Sequence, residues 1–207
     1  MIAIIDYGVG NLFSLRCSLA SLGQQAVVTR SAEDVIKADK LLLPGVGAFG
    51  DAAKKLRESG MVPALLESVK NGRPLLGVCL GMQMLFDTSF EYGAHKGLGL
   101  IPGEIRPIAE RVAPGCKIPH MGWNALRFTN ESPLFRYIND GDCVYFVHSY
   151  SAVTPPEYVV AETDHGGRLT AAVQRDNVFG CQFHPEKSGG VGLAILRAFC
   201  EYGGEAV

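Results

Sequence analysis

The sequence Arg73-Pro74-Leu75-Leu76-Gly77-Val78-Cys79-Leu80-Gly81-Met82-Gln83-Met84-Leu85-Phe86 decides the fold of this chain. It predicts an apolar strand that breaks at Gly77 and continues as an apolar helix. This helix is expected to end at residues 90–93. A cysteine between two glycines at such a junction is typical of a nucleophile elbow, a tight turn that exposes a reactive side chain. The glycines let strand and helix pack closely around Cys79. The helix N-terminus favours the thiolate form of this cysteine.

A second interpretation of Cys79 is that it only packs. Free cysteine is among the most buried residue types, and an apolar stretch is where a packing cysteine is expected. The glycine spacing does not separate the two interpretations. A general base elsewhere in the chain must decide between them.

Composition places the chain among ordinary globular proteins. With 207 residues, 47% of them hydrophobic and 19% charged, it can form one substantial domain, which we expect over 1–207. The net charge of -2 argues against nucleic acid or a membrane surface as the main partner. The six cysteines include no C-x-x-C pair, and no signal peptide or membrane span is evident. We therefore expect a cytoplasmic protein with reduced thiols and no metal.

The chain before the elbow predicts alternating strands and helices. Strands are expected at 2–6, 26–29 and 40–43, and helices over 12–22 and, with a break at 60–63, over 51–70. Ser31 and Asp34 have the spacing of a capping box for a short helix between the second and third strands. Gly8 and Gly10 resemble the start of a dinucleotide fingerprint, but the third glycine is missing, so no nucleotide site is expected.

The chain after the elbow is rich in strands. Strand-like segments recur near 98–100, 125–128, 143–150, 158–162, 169–174 and 178–183, and an amphipathic helix follows over about 190–201. The whole pattern predicts an α/β fold. Its central sheet is mixed but mostly parallel, is flanked by helices, and carries the nucleophile elbow.

The base that Cys79 needs is found in His184-Pro185-Glu186, at the end of the last predicted strand. In an extended segment, residues two apart face the same way, so Glu186 can orient the imidazole of His184. A lone histidine at a strand end is usually structural, and His95, His120 and His165 are assigned to that class. His184 and Glu186 together with the elbow predict a Cys79-His184-Glu186 triad.

An oxyanion hole is expected in the turn after the third strand, Pro44-Gly45-Val46-Gly47. Alone, this string is only a glycine-rich turn between a strand and a helix. Because its strand precedes the elbow unit, however, backbone N–H groups of Val46 and Gly47 can face the thiol. The second donor is the N–H of Leu80, the residue after the nucleophile.

These motifs resemble the class I (triad) glutamine amidotransferases and, more narrowly, the glutaminase subunits of imidazole glycerol phosphate synthase. The resemblance covers the whole chain. The strings that carry it are Asp6-Tyr7-Gly8-Val9-Gly10-Asn11, the 44–47 turn, the elbow, Pro119-His120-Met121-Gly122-Trp123-Asn124, Val147-His148-Ser149-Tyr150 and His184-Pro185-Glu186-Lys187-Ser188.

The resemblance implies an enzyme without a cofactor that hydrolyses L-glutamine to glutamate and ammonia. It implies a (β/α)8-barrel cyclase partner, which uses the ammonia to make imidazole glycerol phosphate and an aminoimidazole carboxamide ribotide in histidine biosynthesis. The residues implied to bind glutamine are Gly45, Gln83, Glu91, His148, Ser149 and Tyr150. Those expected near the partner are Asn11, Trp123 and Asn124.

Three alternatives remain. The chain can be the glutaminase subunit of another amidotransferase, such as anthranilate synthase, although the 119–124 string argues against it. It can be a stand-alone γ-glutamyl hydrolase, which would turn over fully without a partner. A catalytically silent binding subunit would keep the fold and lose the triad, whereas here Cys79, His184 and Glu186 are all present.

Overall fold

The computed structural model describes residues 1–203 and is built on an eight-stranded sheet. The strands are β1 (Ile2–Ile5), β2 (Ala26–Thr29), β3 (Lys40–Gly45), β4 (Leu75–Cys79), β5 (Thr88–Ser89), β6 (His95–Lys96), β7 (Glu104–Pro107), β8 (His120–Ala125), β9 (Arg127–Phe128), β10 (Cys143–His148), β11 (Tyr150–Val153), β12 (Val159–Asp164), β13 (Arg168–Arg175) and β14 (Val178–Cys181). The helices are α1 (Leu12–Ser21), α2 (Ala32–Lys37), α3 (Phe49–Glu58), α4 (Val62–Lys70), α5 (Leu80–Gln83) and α6 (Gly189–Glu201).

The large sheet has the strand order β2-β1-β3-β4-β14-β13-β12-β9. Its first five strands are parallel, and β13, β12 and β9 continue it antiparallel. The predicted α/β fold with a mixed, mostly parallel sheet is therefore confirmed. The β4–β14 pair at its centre joins the strand that ends in Cys79 to the strand that precedes His184.

Both faces of the parallel part are covered, as continuous apolar strands require. All four residues of β1 and all five of β4 are buried. Alternate side chains enter opposite halves of the core: Ala3 and Ile5 pack in one cluster, and Ile2 and Ile4 pack in the other.

Two small sheets form the rim above the carboxyl ends of these strands. One pairs β10 with β8 antiparallel, and the other has the order β11-β7-β5-β6. The segment predicted as one strand over 143–150 is two strands, β10 and β11, which belong to different small sheets and are separated at Ser149.

The helix after the elbow is much shorter than the sequence predicts, because loop amides bind the backbone oxygens that would continue it. It spans only Leu80–Gln83. Leu98 donates its N–H to the oxygen of Met84 at 2.8 Å, and Leu100 donates to that of Leu85 at 2.8 Å. The strand predicted at 98–100 is therefore wrong as well, since this loop makes its hydrogen bonds to the end of the helix.

The predicted capping box of α2 is also wrong. Ser31 occupies the N-cap position but its side chain makes no capping hydrogen bond. The Thr29 hydroxyl instead accepts from the Ser31 N–H at 2.9 Å and donates to the Asp34 carboxylate at 2.6 Å. A residue at the end of β2 thus organises the start of the helix.

Candidate active site

Cys79 lies at the turn between β4 and α5 in a conformation that residues other than glycine rarely adopt. Its φ is 55° and its ψ is -113°, so the backbone that carries the thiol is strained. Close packing enforces the turn: a Cβ on Gly81 would lie 1.8 Å from the oxygen of Leu43, and one on Gly77 would lie 2.7 Å from that of Gly81. The elbow is therefore confirmed. Because α5 has only four residues, its dipole is weaker than that of the long helix that the sequence predicts.

His184 and Glu186 meet as predicted, although by a different route. The Nδ1 of His184 donates to Oε1 of Glu186 at 2.8 Å, and the two side chains are 3% and 0% exposed. Residues Pro185–Lys187 form a 3-10 turn and are not extended, so the contact is made across a turn. Two hydrogen bonds hold the backbone of His184: its N–H donates to Tyr145 O at 2.9 Å, and its oxygen accepts from the Ser188 hydroxyl at 2.6 Å.

The charge state of His184 follows from its neighbours. Burial lowers its pKa, but hydrogen bonding to Cys79 and Glu186 outweighs burial and raises the pKa to about 9. The imidazole is therefore protonated at neutral pH. A cationic imidazole beside the cysteine is the arrangement that activates a thiol nucleophile.

Gln182 is a site residue that the sequence analysis missed. It is fully buried, its Nε2 donates to Sγ of Cys79 at 3.7 Å, and its Oε1 accepts from Gln83 at 3.0 Å. A donor directed at the sulfur stabilises the anionic form. The available signal was a polar residue inside the apolar run 178–183, since a buried polar side chain requires partners.

Asn11, expected near the partner, lies against the triad. Its Nδ2 donates to Oε1 of Glu186 at 3.2 Å, and it precedes α1. The same carboxylate oxygen thus receives hydrogen bonds from both His184 and Asn11. The amide fixes the rotamer of the acid that orients the base.

A cavity of about 350 Å³ opens above Cys79, within the size range of small-molecule sites. Every residue predicted to bind glutamine lines it except Gly45, as do all three oxyanion candidates. Its lining is Val46, Gly47, Cys79, Leu80, Gln83, Glu91, Pro119, Val147, His148, Ser149, Tyr150 and His184. Trp123, 56% exposed, and Asn124 lie outside it on β8.

Hydrogen bonds to neighbouring groups hold the polar side chains of the cavity. These bonds determine which of their atoms can still bind a ligand. Gln83 donates from Nε2 to the Tyr150 oxygen at 3.1 Å and to Gln182 at 3.0 Å, so only its Oε1 is free to accept. Glu91 accepts the Phe49 N–H at 2.6 Å, at the start of α3. The carboxylate is thereby fixed at the cavity wall with a second oxygen available.

The 44–47 turn is packed at its start and open at its end. Gly45 pairs in register with Cys79, and a Cβ on it would lie 2.7 Å from Gly81 N and 2.9 Å from the Tyr7 hydroxyl. Gly47, by contrast, has a φ of 91°, and a Cβ added to it would meet no atom within 4 Å. Tyr7, also missed from sequence, donates to the Pro44 oxygen at 2.7 Å and anchors the packed end.

Comparison with known proteins agrees with this geometry. The family model described as glutamine amidotransferase class-I matches residues 3–201. Two relatives called imidazole glycerol phosphate synthase subunit HisH are close in sequence. The one from Wolinella succinogenes is 48% identical over 98% of this chain and 100% of its own, and the one from Lactococcus lactis is 47% identical over 97% and 98%.

Solved structures support the fold. A crystal structure of a glutamine amidotransferase superposes with a TM-score of 0.75 at 20% identity, covering 97% of this chain and 98% of that chain. The PurLQS structure from Thermotoga maritima gives 0.73 at 22% identity, covering 97% of both chains. With a family model across almost the whole chain and relatives near half identity, this chain belongs to the class-I glutamine amidotransferase family, in the group of the HisH subunits.

Proposed function

We propose that this chain is the glutaminase subunit of imidazole glycerol phosphate synthase in histidine biosynthesis. It hydrolyses L-glutamine to L-glutamate and ammonia and passes the ammonia to a (β/α)8-barrel cyclase subunit. The observation that carries the proposal is the buried His184–Glu186 pair, 2.8 Å apart, whose imidazole lines a cavity of about 350 Å³ together with the elbow cysteine Cys79.

In the proposed reaction, Cys79 and His184 share the work of two half-reactions. The sulfur of Cys79 attacks the side-chain carbonyl carbon of glutamine, and the carbon–oxygen double bond becomes an oxyanion. When this intermediate collapses, the carbon–nitrogen bond breaks and the proton of His184 goes to the departing ammonia. Water then gives a proton to neutral His184 and attacks the glutamyl thioester, which releases glutamate and restores the thiolate.

The remaining cavity residues receive roles in the proposal. Oε1 of Gln83, which has no protein donor, accepts a hydrogen bond from the substrate. Glu91 attracts the α-ammonium group of the substrate glutamine. Val46, Gly47 and Leu80 supply backbone N–H groups to the oxyanion. Ser149, at the break between β10 and β11, lines the cavity together with His148 and Tyr150, and in the proposal these three residues contact the substrate.

The partner proposed for this chain is the barrel cyclase, and β8 offers it an apolar surface. Along β8, His120 points inward and is fully buried, whereas Met121 is 60% and Trp123 56% exposed. Ile118, just before the strand, is 45% exposed. Exposed large apolar side chains grouped beside an active site mark a protein contact, and the relatives are themselves named as subunits of a synthase.

The alternatives are weighed against the same observations. A silent binding subunit does not need a buried imidazole and carboxylate 2.8 Å apart beside a cysteine. A stand-alone γ-glutamyl hydrolase shares the triad but has no use for the apolar surface on β8. A subunit of another amidotransferase is not favoured, because relatives near half identity over the full chain are HisH subunits.

The decisive experiment is co-purification with the barrel subunit, followed by measurement of glutamate release with and without the acceptor substrate. We expect a stable complex in which the acceptor accelerates glutamate release. Glutaminase activity indifferent to both barrel and acceptor would overturn the synthase assignment and favour the stand-alone hydrolase.

Within the described residues, no helix has the length and apolarity needed to cross a membrane.

A further inference from the structure

The loop after β1, residues 6–11, touches both halves of the proposed active site. Near its start, the Tyr7 hydroxyl donates to the Pro44 oxygen at 2.7 Å. At its end, the Asn11 amide donates to Oε1 of Glu186 at 3.2 Å. One short loop therefore contacts the turn that carries the proposed oxyanion donors and the acid that orients the base. The glutaminase reaction proposed above gives Tyr7 no role.

Hydrogen bonds and backbone geometry hold this loop in one conformation. The Asp6 N–H donates to the Thr29 oxygen at 2.8 Å, so the loop starts from a fixed point on β2. The Asp6 carboxylate accepts from the Gly8 N–H at 2.9 Å and from Nε of Arg30 at 2.8 Å. Gly8 and Gly10 have φ values of 89° and 120°, which favour glycine. The two glycines that resemble a dinucleotide fingerprint thus shape this loop.

Tyr7 fixes the peptide at the start of the 44–47 turn. Its side chain is buried, and burial together with the charge of nearby Cys79 raises the pKa of its hydroxyl, which therefore keeps its proton and donates. In a trans peptide the C=O and the N–H point in opposite directions, so a fixed Pro44 oxygen also fixes the Gly45 N–H. Gly10 packs on the same proline, since a Cβ on it would lie 3.0 Å from Cβ of Pro44.

Freedom of the turn begins with the next peptide, which carries the Val46 N–H. Val46 is 40% exposed and lines the cavity. Gly47 after it has a φ of 91° and open space, whereas Gly45 before it is packed against the Tyr7 hydroxyl, 2.9 Å from its Cβ position. The Val46 peptide can therefore rotate while the peptide before it stays in place. Rotation about a fixed pivot brings the N–H to a defined direction.

We propose that Tyr7 is a positioning residue for the glutaminase reaction, because it fixes the pivot about which the Val46 N–H turns toward the oxyanion. Through the loop that Tyr7 shares with Asn11, the oxyanion turn and the triad acid are held by one rigid piece of chain. A displacement at either end of the loop therefore reaches the other end. This inference rests on the proposed function and adds a residue to its machinery.

The first test removes the Tyr7 hydroxyl alone. Tyr7→Phe keeps the ring packed in the core. In the complex with barrel and acceptor, kcat for glutamine hydrolysis should fall about 3- to 10-fold, the value of one neutral hydrogen bond. The matched control is Tyr137→Phe, which removes a hydroxyl that donates to Glu201 at the surface and should leave kcat unchanged. Equal kcat values in the two variants would overturn the proposal.

Two further measurements separate positioning from simple support of the fold. KM for glutamine should be unchanged in Tyr7→Phe, because Tyr7 does not line the cavity. Alkylation of Cys79 by iodoacetamide should also be unchanged, because the sulfur displaces iodide from carbon and no oxyanion forms. If kcat, KM and alkylation all deteriorated together, the hydroxyl would only support the fold, and the proposal would be overturned.

A double variant tests the connection between the two ends of the loop. If the loop acts as one piece, freeing its second end costs little once the first is free. The loss of kcat in Tyr7→Phe with Asn11→Ala should then be clearly smaller than the product of the two single losses. In the control pair, Tyr137→Phe with Asn11→Ala, the two effects should simply multiply. Multiplication in the Tyr7 pair as well would overturn the connection between turn and acid.

The role of Tyr7 and the synthase assignment can fail separately. Glutamate release by the isolated chain needs no barrel, and the comparison of Tyr7→Phe with Tyr137→Phe applies to its kcat as well. If the complex makes product from glutamine but the two variants behave alike, only the role of Tyr7 falls. If Tyr7→Phe lowers kcat for glutamate release while no complex with the barrel makes product, only the synthase assignment falls.

Discussion

The two walls of the cavity are held by different kinds of contact. At the elbow wall, β3, β4 and α5 meet through backbone atoms, and a Cβ on Gly81 would lie 1.8 Å from the Leu43 oxygen. At the rim wall, β8 and β10 pair as antiparallel strands, and their side chains add hydrogen bonds on the face toward the cavity, such as His120 to His148 at 3.0 Å. Backbone contacts without spare room admit one arrangement, whereas side-chain hydrogen bonds can be exchanged. The chemistry is therefore fixed on one wall and adjustable from the other.

The largest effect is expected from removing the nucleophile at the elbow wall. Cys79→Ala should reduce glutamine-dependent synthesis by the assembled complex by about 10⁴-fold or more. The reaction driven by ammonium salts should persist, because only the supply of ammonia is lost. His184→Ala should behave likewise. Loss of the ammonium-driven reaction in these variants would show that this chain does more than supply ammonia.

A second prediction tests the rigidity of the elbow wall itself. Gly81→Ala should lower the free energy of unfolding by about 3 kcal/mol or more, because the added methyl overlaps the backbone of β3. Gly190→Ala is the control: it lies in α6 with nothing near its Cβ, and should stabilise the chain by about 0.5–1 kcal/mol. Urea unfolding of both variants measures the contrast, and equal stabilities would refute the packing argument.

The 44–47 turn, which carries the proposed oxyanion donors Val46 and Gly47, is expected to move. Gly45→Ala cannot test this movement, because its methyl would meet Gly81 N at 2.7 Å and disturb the packing of the elbow. Gly47 is suitable, because it has a φ of 91° and open space around its Cβ position. Gly47→Ala should change the ratio of acceptor-stimulated to basal glutaminase activity by up to about 10²- to 10³-fold, the range expected for an oxyanion donor.

The matched control for the turn is Gly115→Ala, which has a φ of 89° and equally open space. It carries the same backbone strain far along the sequence from the turn, so it should leave the ratio unchanged. If Gly47→Ala also leaves it unchanged while Cys79 stays equally reactive, the switch lies elsewhere.

Asn11 gives a smaller effect, because it acts on the acid that orients the base. Asn11→Ala removes the 3.2 Å hydrogen bond to Glu186 and should lower kcat for glutamine hydrolysis about tenfold. Asn130→Ala, which removes bonds to the Pro156 and Val159 oxygens, should leave kcat unchanged. Equal kcat values in the two variants would remove Asn11 from the positioning of the triad.

The smallest effect is a shift in titration. NMR should show His184 titrating near its pKa of about 9, and Cys79→Ala should move the midpoint toward the ordinary 6.5, because hydrogen bonding to Cys79 raises it. Since the folded-state pKa lies above the unfolded one, His184 stabilises the fold fully below about pH 6.5, and this contribution disappears as the pH rises through about 9. An unmoved midpoint in Cys79→Ala would exclude the cysteine as a cause.

What the sequence could predict follows from the same contrast. The elbow and the triad were predictable because glycine spacing and a His-Pro-Glu string express local backbone and acid–base requirements. The length of α5 was not, since amides of Leu98 and Leu100, distant in sequence, take the oxygens that would extend it. Asn11 was placed with the partner surface because a bond to Glu186, 175 residues away, leaves no local pattern.

The pairing of β4 with β14 also has a consequence for how the protein is made. Cys79 and Gln182 touch although 103 residues separate them, and His184 follows shortly after. A ribosome adding about 5 to 20 residues per second needs roughly 5 to 20 s to pass from one to the other. During that interval the growing chain carries the thiol without its base, and closing so long a loop makes the β4–β14 contact a late folding event. Nascent chains therefore do not consume glutamine, and glutaminase activity reports completed assembly of the centre of the sheet.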